Sequence, residues 1–179
     1  MIVVNPVQID YKKLVEVAKR SRGKINRIYL HWTAGHYDDV YDDYHINIGA
    51  GGELYLTCED FTELKAHTWR RNTSSIGIAM CCAAGATAIS GSETDFGKEP
   101  PTQQQIEAMA KTVAVLTYVL GLEIKLLTVT ARTAATRIHA GIYGICRTGR
   151  FTAGLCRAAM LSAAKRCGTG SLSAGAIMS

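Results

Sequence analysis

The chain has 179 residues, 47% of them hydrophobic, which is enough to form one domain with an apolar core. No apolar run reaches the length of a membrane-spanning helix, so the composition excludes a protein that crosses a bilayer. The formal net charge is +5, but all of the acidic residues lie before residue 126.

The N-terminal segment predicts a helix and no export signal. Residues 1–13, MIVVNPVQIDYKK, contain an apolar run that is too short for a signal peptide and that no basic residue precedes. This pattern predicts cytoplasmic synthesis without a signal peptide. Asn5 and Pro6 are typical of a helix N-cap and first helical position, so we expect an amphipathic helix that stops at Gly23. Its apolar face comprises Leu14, Val15, Val17 and Ala18.

Three strands are predicted in the next part of the chain. Residues 27–33 are rich in β-forming side chains, and residues 44–48 and 53–57 have the pattern of a hairpin. We expect the glycines of the intervening turn to supply positive φ angles, and these are Gly49, Gly51 and Gly52.

A nearly continuous apolar run at residues 75–83 predicts a central strand. Cys81 and Cys82 lie in this strand, and Cys58 follows an earlier one. Their spacing is typical of neither a disulfide framework nor a zinc knuckle. We therefore predict that these three cysteines are small core residues.

The part after this strand predicts a loop and a long helix. Residues 85–99 have the composition of a loop, and Thr102 and Gln105 form a T-x-x-Q capping box. The helix that follows is expected to end near Leu120, before Gly121. Together the elements predict an α/β fold with a single mixed β-sheet flanked by helices.

Three histidines follow or begin strand-like segments, where a rigid scaffold could hold an imidazole for metal binding or proton transfer. They are His31, His45 and His67, in the segments IYLHWTAG, YHINIGAGGELYL and AHTWRRNTSSIGIAM. Three such segments in one chain favour an active site over three unrelated core histidines.

The three segments resemble, in order, motifs of the zinc-dependent N-acetylmuramoyl-L-alanine amidases of the type 2 fold, which peptidoglycan-recognition proteins and many phage lysins share. The resemblance covers roughly residues 24–125. It implies the α/β fold above, a Zn²⁺ cofactor, peptidoglycan as partner, and hydrolysis of the amide between N-acetylmuramic acid and L-alanine by zinc-activated water. With the absent signal peptide, it suggests a monomeric phage or prophage lysin that acts on the cell wall after release.

The resemblance also implies roles for particular residues. His31 matches the first zinc ligand, Tyr44 the tyrosine that orients the water or the oxyanion, and His67 a groove histidine that contacts substrate or stabilises the tetrahedral intermediate. Each could instead be a buried structural residue. Strand alternation turns His45 to the face opposite Tyr44, so we expect His45 to pack.

The same motifs suggest substrate contacts. Thr33 lies in the H-x-T-A-G pattern, and Asn72 and Thr73 resemble the turn that lines the family's substrate groove. Asn72 is also a common turn former on its own. His36, in a loop with several aspartates, is expected to be a solvated loop residue.

The sequence departs from the family at the metal. The family places its second ligand in a T-H-x-E segment after the long helix, and this chain has no such segment. His139 and Cys146 have the right order and separation to be the remaining ligands, but the family's flanking residues are missing around them. They are ligands only if this part of the chain is genuine.

The charge distribution suggests that the C-terminal part is not translated in the native reading frame. Residues 1–125 contain 13 basic and 15 acidic residues, whereas residues 126–179 contain seven basic residues and no acidic one. A shifted reading frame from Leu127 permits DGYGPDSGDPDSRWDLWDMPDG, which resembles a run that phage-type amidases carry after their second ligand segment. We therefore hypothesise an amidase domain at residues 1–125, followed by a degenerate or disordered, out-of-frame tail at residues 126–179.

Two other functions remain open at this point. The chain could be a non-catalytic peptidoglycan-binding module or an inactive amidase fragment that keeps the groove without the metal. A basic tail could also bind nucleic acid, but its arginines have no aromatic interleaving, so we expect no nucleic-acid partner.

Overall fold

A computed structural model describes residues 1–88 and 94–122 of the chain. Its centre is a five-stranded mixed sheet with the strand order β1-β4-β3-β5-β2. Strand β5 is parallel to both of its neighbours, and the other pairings are antiparallel. The predicted single mixed sheet is therefore confirmed. Its strands are β1 (Val7–Ile9), β2 (Arg27–Trp32), β3 (Ile46–Ile48), β4 (Leu54–Leu56) and β5 (Ser75–Met80).

The two faces of this sheet carry different side chains because successive residues of a strand alternate in direction. One face contributes isoleucines and a methionine to the main core, and they are Ile46, Ile48, Ile76, Ile78 and Met80. The register places Tyr29 beside Gly77 and His31 beside Ala79 on the opposite face. The first face therefore packs in the core, whereas the second face carries polar and aromatic groups.

The first helix, α1 (Tyr11–Arg20), begins later than expected. Its N-cap is Asp10, whose side chain accepts a hydrogen bond from the backbone N–H of Lys13 at 2.8 Å. Asn5 has a positive φ of 56°, and the residues after Pro6 form β1 against β4 instead of a helical turn. The predicted N-cap at Asn5 was therefore wrong, because pairing with a distant strand outweighs the local Asn-Pro signal.

The second helix, α2 (Gln103–Leu120), follows the prediction closely. Thr102 and Gln105 form the reciprocal capping box, and Gly121 ends the helix in the left-handed conformation with φ 70°. The buried amide of Gln105 also donates to the carbonyl oxygens of Ile48 at 3.0 Å and Cys81 at 2.8 Å. One side chain thus caps the helix and joins it to the ends of β3 and β5.

Both described helices pack on the apolar face of the sheet, where α1 contacts α2 and α2 contacts β3 and β5. This burial places Cys81 and Cys82 in the interior, as predicted, and Cys58 is partly buried against the same core. None of the described helices is both long enough and apolar enough to pass through a bilayer.

Two details of the turns and loops differ from the predictions. Of the three hairpin glycines, only Gly52 has a positive φ, of 88°. Gly49 and Gly51 instead leave room for the Glu53 carboxylate, which accepts a hydrogen bond from Gly51 N at 3.0 Å. The predicted loop at 85–99 contains a two-stranded ribbon, β6 (Thr87–Ala88) with β7 (Thr94–Asp95).

Several predictions fall on residues that the structure does not describe. They are the domain boundary at residue 125, the out-of-frame tail at residues 126–179, and the candidate ligands His139 and Cys146.

Candidate functional site

The polar face of the sheet gathers three of the predicted site residues. His31 lies near the carboxyl end of β2 and is only 3% exposed. Its ring centroid is 5.1 Å from that of Tyr44 and 5.3 Å from that of His67. These three rings, which we call the His-Tyr cluster, come from three separate parts of the chain.

The segment between β2 and β3 brings Tyr44 to this face. The buried side chain of Asn47 accepts a hydrogen bond from Tyr41 N at 3.1 Å and donates one to Tyr41 O at 2.9 Å. This two-point attachment holds the end of the segment over β3, beside His31. Asn47 was missed by the sequence analysis, although a lone polar residue in an otherwise apolar strand is the available signal.

A missing side chain at residue 77 makes room for His67. An ideal Cβ on Gly77 would lie 2.5 Å from His67 Cγ and 2.9 Å from its Cβ. Real Cβ atoms do not approach so closely, so the imidazole can rest on β5 only because residue 77 is glycine. The ring of Tyr29, which shares a strand face with His31, lies 5.8 Å from that of His67. Residues two apart on a strand share a face, so the position of His31 would have identified Tyr29 as a neighbour of the site.

The hydrogen bonds of His67 indicate where its proton lies. Its Nε2 is 3.2 Å from Ser75 Oγ, and its Nδ1 is 2.7 Å from Thr68 Oγ1. The Ser75 hydroxyl donates to the carbonyl oxygen of Asn72 at 2.7 Å, so its oxygen accepts from His67 Nε2–H. His67 therefore carries a proton on Nε2, while its Nδ1 is bonded to the hydroxyl of Thr68.

The hydrogen bonds of His45 indicate a structural role. Its Nδ1 accepts from Gly77 N–H at 3.0 Å, and its Nε2–H donates to Glu63 O at 2.9 Å. Burial lowers its pKa, so the ring is neutral at neutral pH. These contacts agree with the expected packing role. The expectation that His45 points away from Tyr44 was wrong, because β3 begins only at Ile46 and the His45 ring lies 5.6 Å from that of His67.

Tyr44 is protonated in this environment. It is 7% exposed, and burial, with a smaller contribution from the charge of Asp43, raises its pKa to about 12. Its hydroxyl is therefore a hydrogen-bond donor throughout the neutral range. Tyr44 and His45 are thus both uncharged at neutral pH.

The three predicted substrate contacts occupy different environments. Thr33 is 9% exposed, and its Oγ1 accepts from Gly35 N at 3.2 Å and Cys82 N at 3.3 Å. Asn72 is half-buried and accepts from Thr68 N at 2.7 Å, while Thr73 is exposed at the rim of the same turn. Thr33 therefore joins two strand ends, Asn72 shapes the turn around His67, and Thr73 faces solvent.

His36 is exposed, as expected, but it has a specific partner. Its Nδ1 lies 2.8 Å from Glu99 Oε1, and the other carboxylate oxygen accepts from Tyr37 N at 2.6 Å. The hydrogen bond to Glu99, together with the charge of that carboxylate, raises the pKa of His36. This pair joins the loop after β2 to the segment before α2.

The donor atoms limit which residues could hold a metal. Both ring nitrogens of His45 and both of His67 form hydrogen bonds to protein groups. His31 suits a ligand position at a strand end. Within residues 1–88 and 94–122, no three His, Cys, Asp or Glu side chains are grouped to bind a metal ion. His139 and Cys146 lie outside that part.

One known protein family matches this chain. A protein-family model described as N-acetylmuramoyl-L-alanine amidase matches residues 21–139, which is more than half of the chain and contains the whole His-Tyr cluster. Among solved structures, PGRP-Hd from Alvinella pompejana is similar, with a TM-score of 0.44 and 18% identity over 83% of this chain and 89% of that chain. Comparison with curated protein sequences gives no match.

Proposed function

The chain belongs to the N-acetylmuramoyl-L-alanine amidase family, and from this premise we propose that it hydrolyses the amide bond between N-acetylmuramic acid and L-alanine in peptidoglycan. The observation that carries the proposal is the His-Tyr cluster, in which one imidazole and one protonated phenol adjoin a possible ligand, His31. Grouped titratable side chains on a rigid sheet are typical of active sites.

Zinc is the cofactor that this proposal requires. When bound, it supplies the Lewis-acid chemistry that makes a neutral water reactive toward an unactivated amide. His31 fits the position of one ligand because its buried imidazole lies near the carboxyl end of β2, next to Tyr44 and His67. We propose His139 and Cys146 as the other ligands only for a chain whose residues 126–179 are genuine.

Tyr44 stabilises charge that develops on the amide oxygen. Its raised pKa of about 12 keeps the hydroxyl protonated, so it can donate a hydrogen bond to that oxygen. Because the ring is buried against His31, the donor is held in place before substrate arrives. Preorganised donors of this kind are effective since they need little reorganisation during the reaction.

His67 accepts or releases a proton at Nδ1. Its Nε2–H is committed to Ser75, whereas Nδ1 is bonded to the hydroxyl of Thr68, which is only partly buried. Rotation of the Thr68 side chain exchanges this partner for a substrate group. We propose that the exposed Thr73 contacts substrate directly, and that Asn72 and Thr33 position the groove through their backbone hydrogen bonds.

A second function is favoured by one observation, the incomplete ligand set. The described residues supply a single candidate ligand at the cluster, so a chain without genuine ligands beyond residue 122 would bind peptidoglycan without cutting it. The alternative is therefore a peptidoglycan-binding module. Such a module would use the same groove as the amidase but would release no product from peptidoglycan.

The test combines metal content with product analysis. For a chain whose residues 126–179 are genuine, we expect about one zinc per purified chain by elemental mass spectrometry, and release of soluble fragments with new L-alanine amino groups from purified cell wall. His31→Ala should abolish both. His36→Ala is the matched control, because His36 is exposed and bonded to Glu99 outside the cluster, and it should abolish neither.

Two results would reject the proposal. Wall binding without zinc and without new amino groups would leave the binding module as the function. A chain that neither binds nor cleaves the wall would exclude both functions.

A further inference from the structure

The turn that holds His67 also exposes a large aromatic side chain. Trp69 is 75% exposed, and the guanidinium carbon of Arg70 lies 5.5 Å from its ring centroid. Arg70 adopts a positive φ of 57°, which an arginine rarely takes. An exposed tryptophan flanked by an arginine is a rigid, flat surface on which a ligand ring can stack.

A second basic segment of the chain lies beside this turn. Arg27 is the register partner of Ser75, and Asn26 N donates to Ser74 O at 3.0 Å, so the segment before β2 lies beside the turn. Two exposed arginines of these segments, Arg27 and Arg70, form a surface that we call the basic patch.

The charge of this patch is largely uncompensated. The ion pairs found among residues 1–88 and 94–122 involve neither Arg27 nor Arg70. Unpaired arginines beside an exposed indole provide both charge and a stacking surface for a ligand.

The patch lies close to the His-Tyr cluster and on the same face of the sheet. Arg27, Tyr29 and His31 alternate on one face of β2. Arg27 and His31 are four residue steps apart along the strand, which corresponds to about 13 Å at the usual rise per residue. A polymer held on the patch would therefore pass over the cluster.

We propose that Trp69 and the basic patch bind an anionic sugar polymer, whose ring stacks on the indole while its carboxylate or phosphate groups meet the arginines. This inference deepens the proposed function and rests on it for the identity of the polymer as cell-wall material. Arg27 and Arg70 can each hold a carboxylate or phosphate through paired N–H donors. A nucleic-acid strand fits less well, because successive bases require a series of exposed aromatic rings and the patch has one.

The test is cosedimentation of the full chain with insoluble cell wall at low and high salt. We expect Trp69→Ala to weaken wall binding about tenfold at either salt concentration, since it removes the stacking surface. The double variant Arg27→Gln, Arg70→Gln should weaken binding at low salt and flatten its salt dependence. The matched controls are Tyr118→Ala, which removes an equally exposed ring from α2, and Lys12→Gln with Lys19→Gln on α1.

Two further probes distinguish the source of the negative charge and the class of polymer. Binding that is lost after acid extraction of phosphodiester polymers from the wall assigns the patch to phosphate, and binding that persists assigns it to carboxylates of the peptidoglycan. Variants that bind like the wild type, or tighter binding to single-stranded DNA than to either wall, would overturn the inference. Patch-dependent binding without new L-alanine amino groups would reject the proposed hydrolysis and leave the patch assigned.

Discussion

At the scale of single residues, burial sets the charge of the site. Burial raises the pKa of Tyr44 and lowers that of His45, so both are neutral at physiological pH although they are adjacent in the chain. The Ser75 hydroxyl accepts a hydrogen bond from His67, which places a proton on the Nε2 atom of that ring. Tyr44 therefore offers a hydrogen-bond donor to a substrate without adding charge to the site.

Tyr44→Phe tests the proposed oxyanion donor. The variant should lower kcat by about 10²–10³, the usual loss for one such donor, with a small effect on KM. Folding stability should change little because the buried ring is retained. Steady-state kinetics and thermal unfolding measure the two effects. Tyr55→Phe, on a half-buried tyrosine of β4, is the control, and full activity in Tyr44→Phe would contradict the assigned role.

His45 and His36 should respond to pH with opposite signs. The pKa of His45 is lowered in the folded chain, so its contribution to stability is present above about pH 6.5 and is lost as the pH falls. The pKa of His36 is raised, so its contribution is present below about pH 6.5 and is lost as the pH rises. Urea unfolding measures the free energy of unfolding from pH 5 to 8. In His45→Gln, the loss of stability at low pH should disappear. In His36→Gln, the smaller loss of stability at high pH should disappear. Equal slopes in both variants would be inconsistent with these environments.

At the scale of elements, one glycine couples a strand to the loop before it. Strand β5 pairs with a neighbour on each side, and Gly77 at its centre provides the surface on which His67 lies. Ser75 at its start donates to carbonyl oxygens of the preceding turn. The strand thus positions His67 from two points, and both depend on small side chains.

Gly77→Ala should displace His67. We expect the substitution to destabilise the fold by about 1–3 kcal/mol, the usual range for overpacking. In a His67→Ala background the clash is absent, and the same substitution should be neutral or stabilising by up to about 1 kcal/mol, since alanine loses less backbone entropy than glycine. A double-mutant cycle by urea unfolding gives the coupling. Additive effects would show that the His67 ring does not rest on residue 77.

At the scale of the whole molecule, opposite charges lie on the two sides of the His-Tyr cluster. The loop after β2 contains four acidic residues, which are Asp38, Asp39, Asp42 and Asp43. The basic patch lies toward the other end of β2, where Arg27 begins the strand. A polymer with negative groups is therefore attracted to one end of the sheet and repelled from the other, which favours one direction of binding.

The whole domain should be sensitive to alkali. Burial raises the pKa of Cys58, Cys81 and Cys82 to about 12 each, so these thiols stay protonated in the folded chain while they ionise in the unfolded one. The free energy of unfolding should therefore fall as the pH rises from about 8.5 toward 12. Denaturant titrations in reducing buffer measure this decline. It should be shallower in a Cys81→Ala, Cys82→Ala variant, and an unchanged slope there would exclude the thiols as its cause.

The out-of-frame tail is a prediction about the gene. We expect resequencing of the source DNA across the codons for residues 121–130 to reveal a shift that restores the DGYGP-type run. The family match ends at residue 139, within the segment in question. An intact frame with genuine relatives of residues 126–179 would refute the hypothesis and strengthen His139 and Cys146 as ligands.

The sequence by itself determined those features that depend on neighbours a few residues away. The Thr102 and Gln105 capping box, the Gly121 helix end and the apolar β5 run are of this kind, and all were confirmed. Only the tertiary structure decided that Asn5 lies outside α1, that Tyr29 joins His67, and that both nitrogens of His45 are engaged. These outcomes depend on partners tens of residues away, and no local pattern specifies which distant strand or carbonyl a residue will meet.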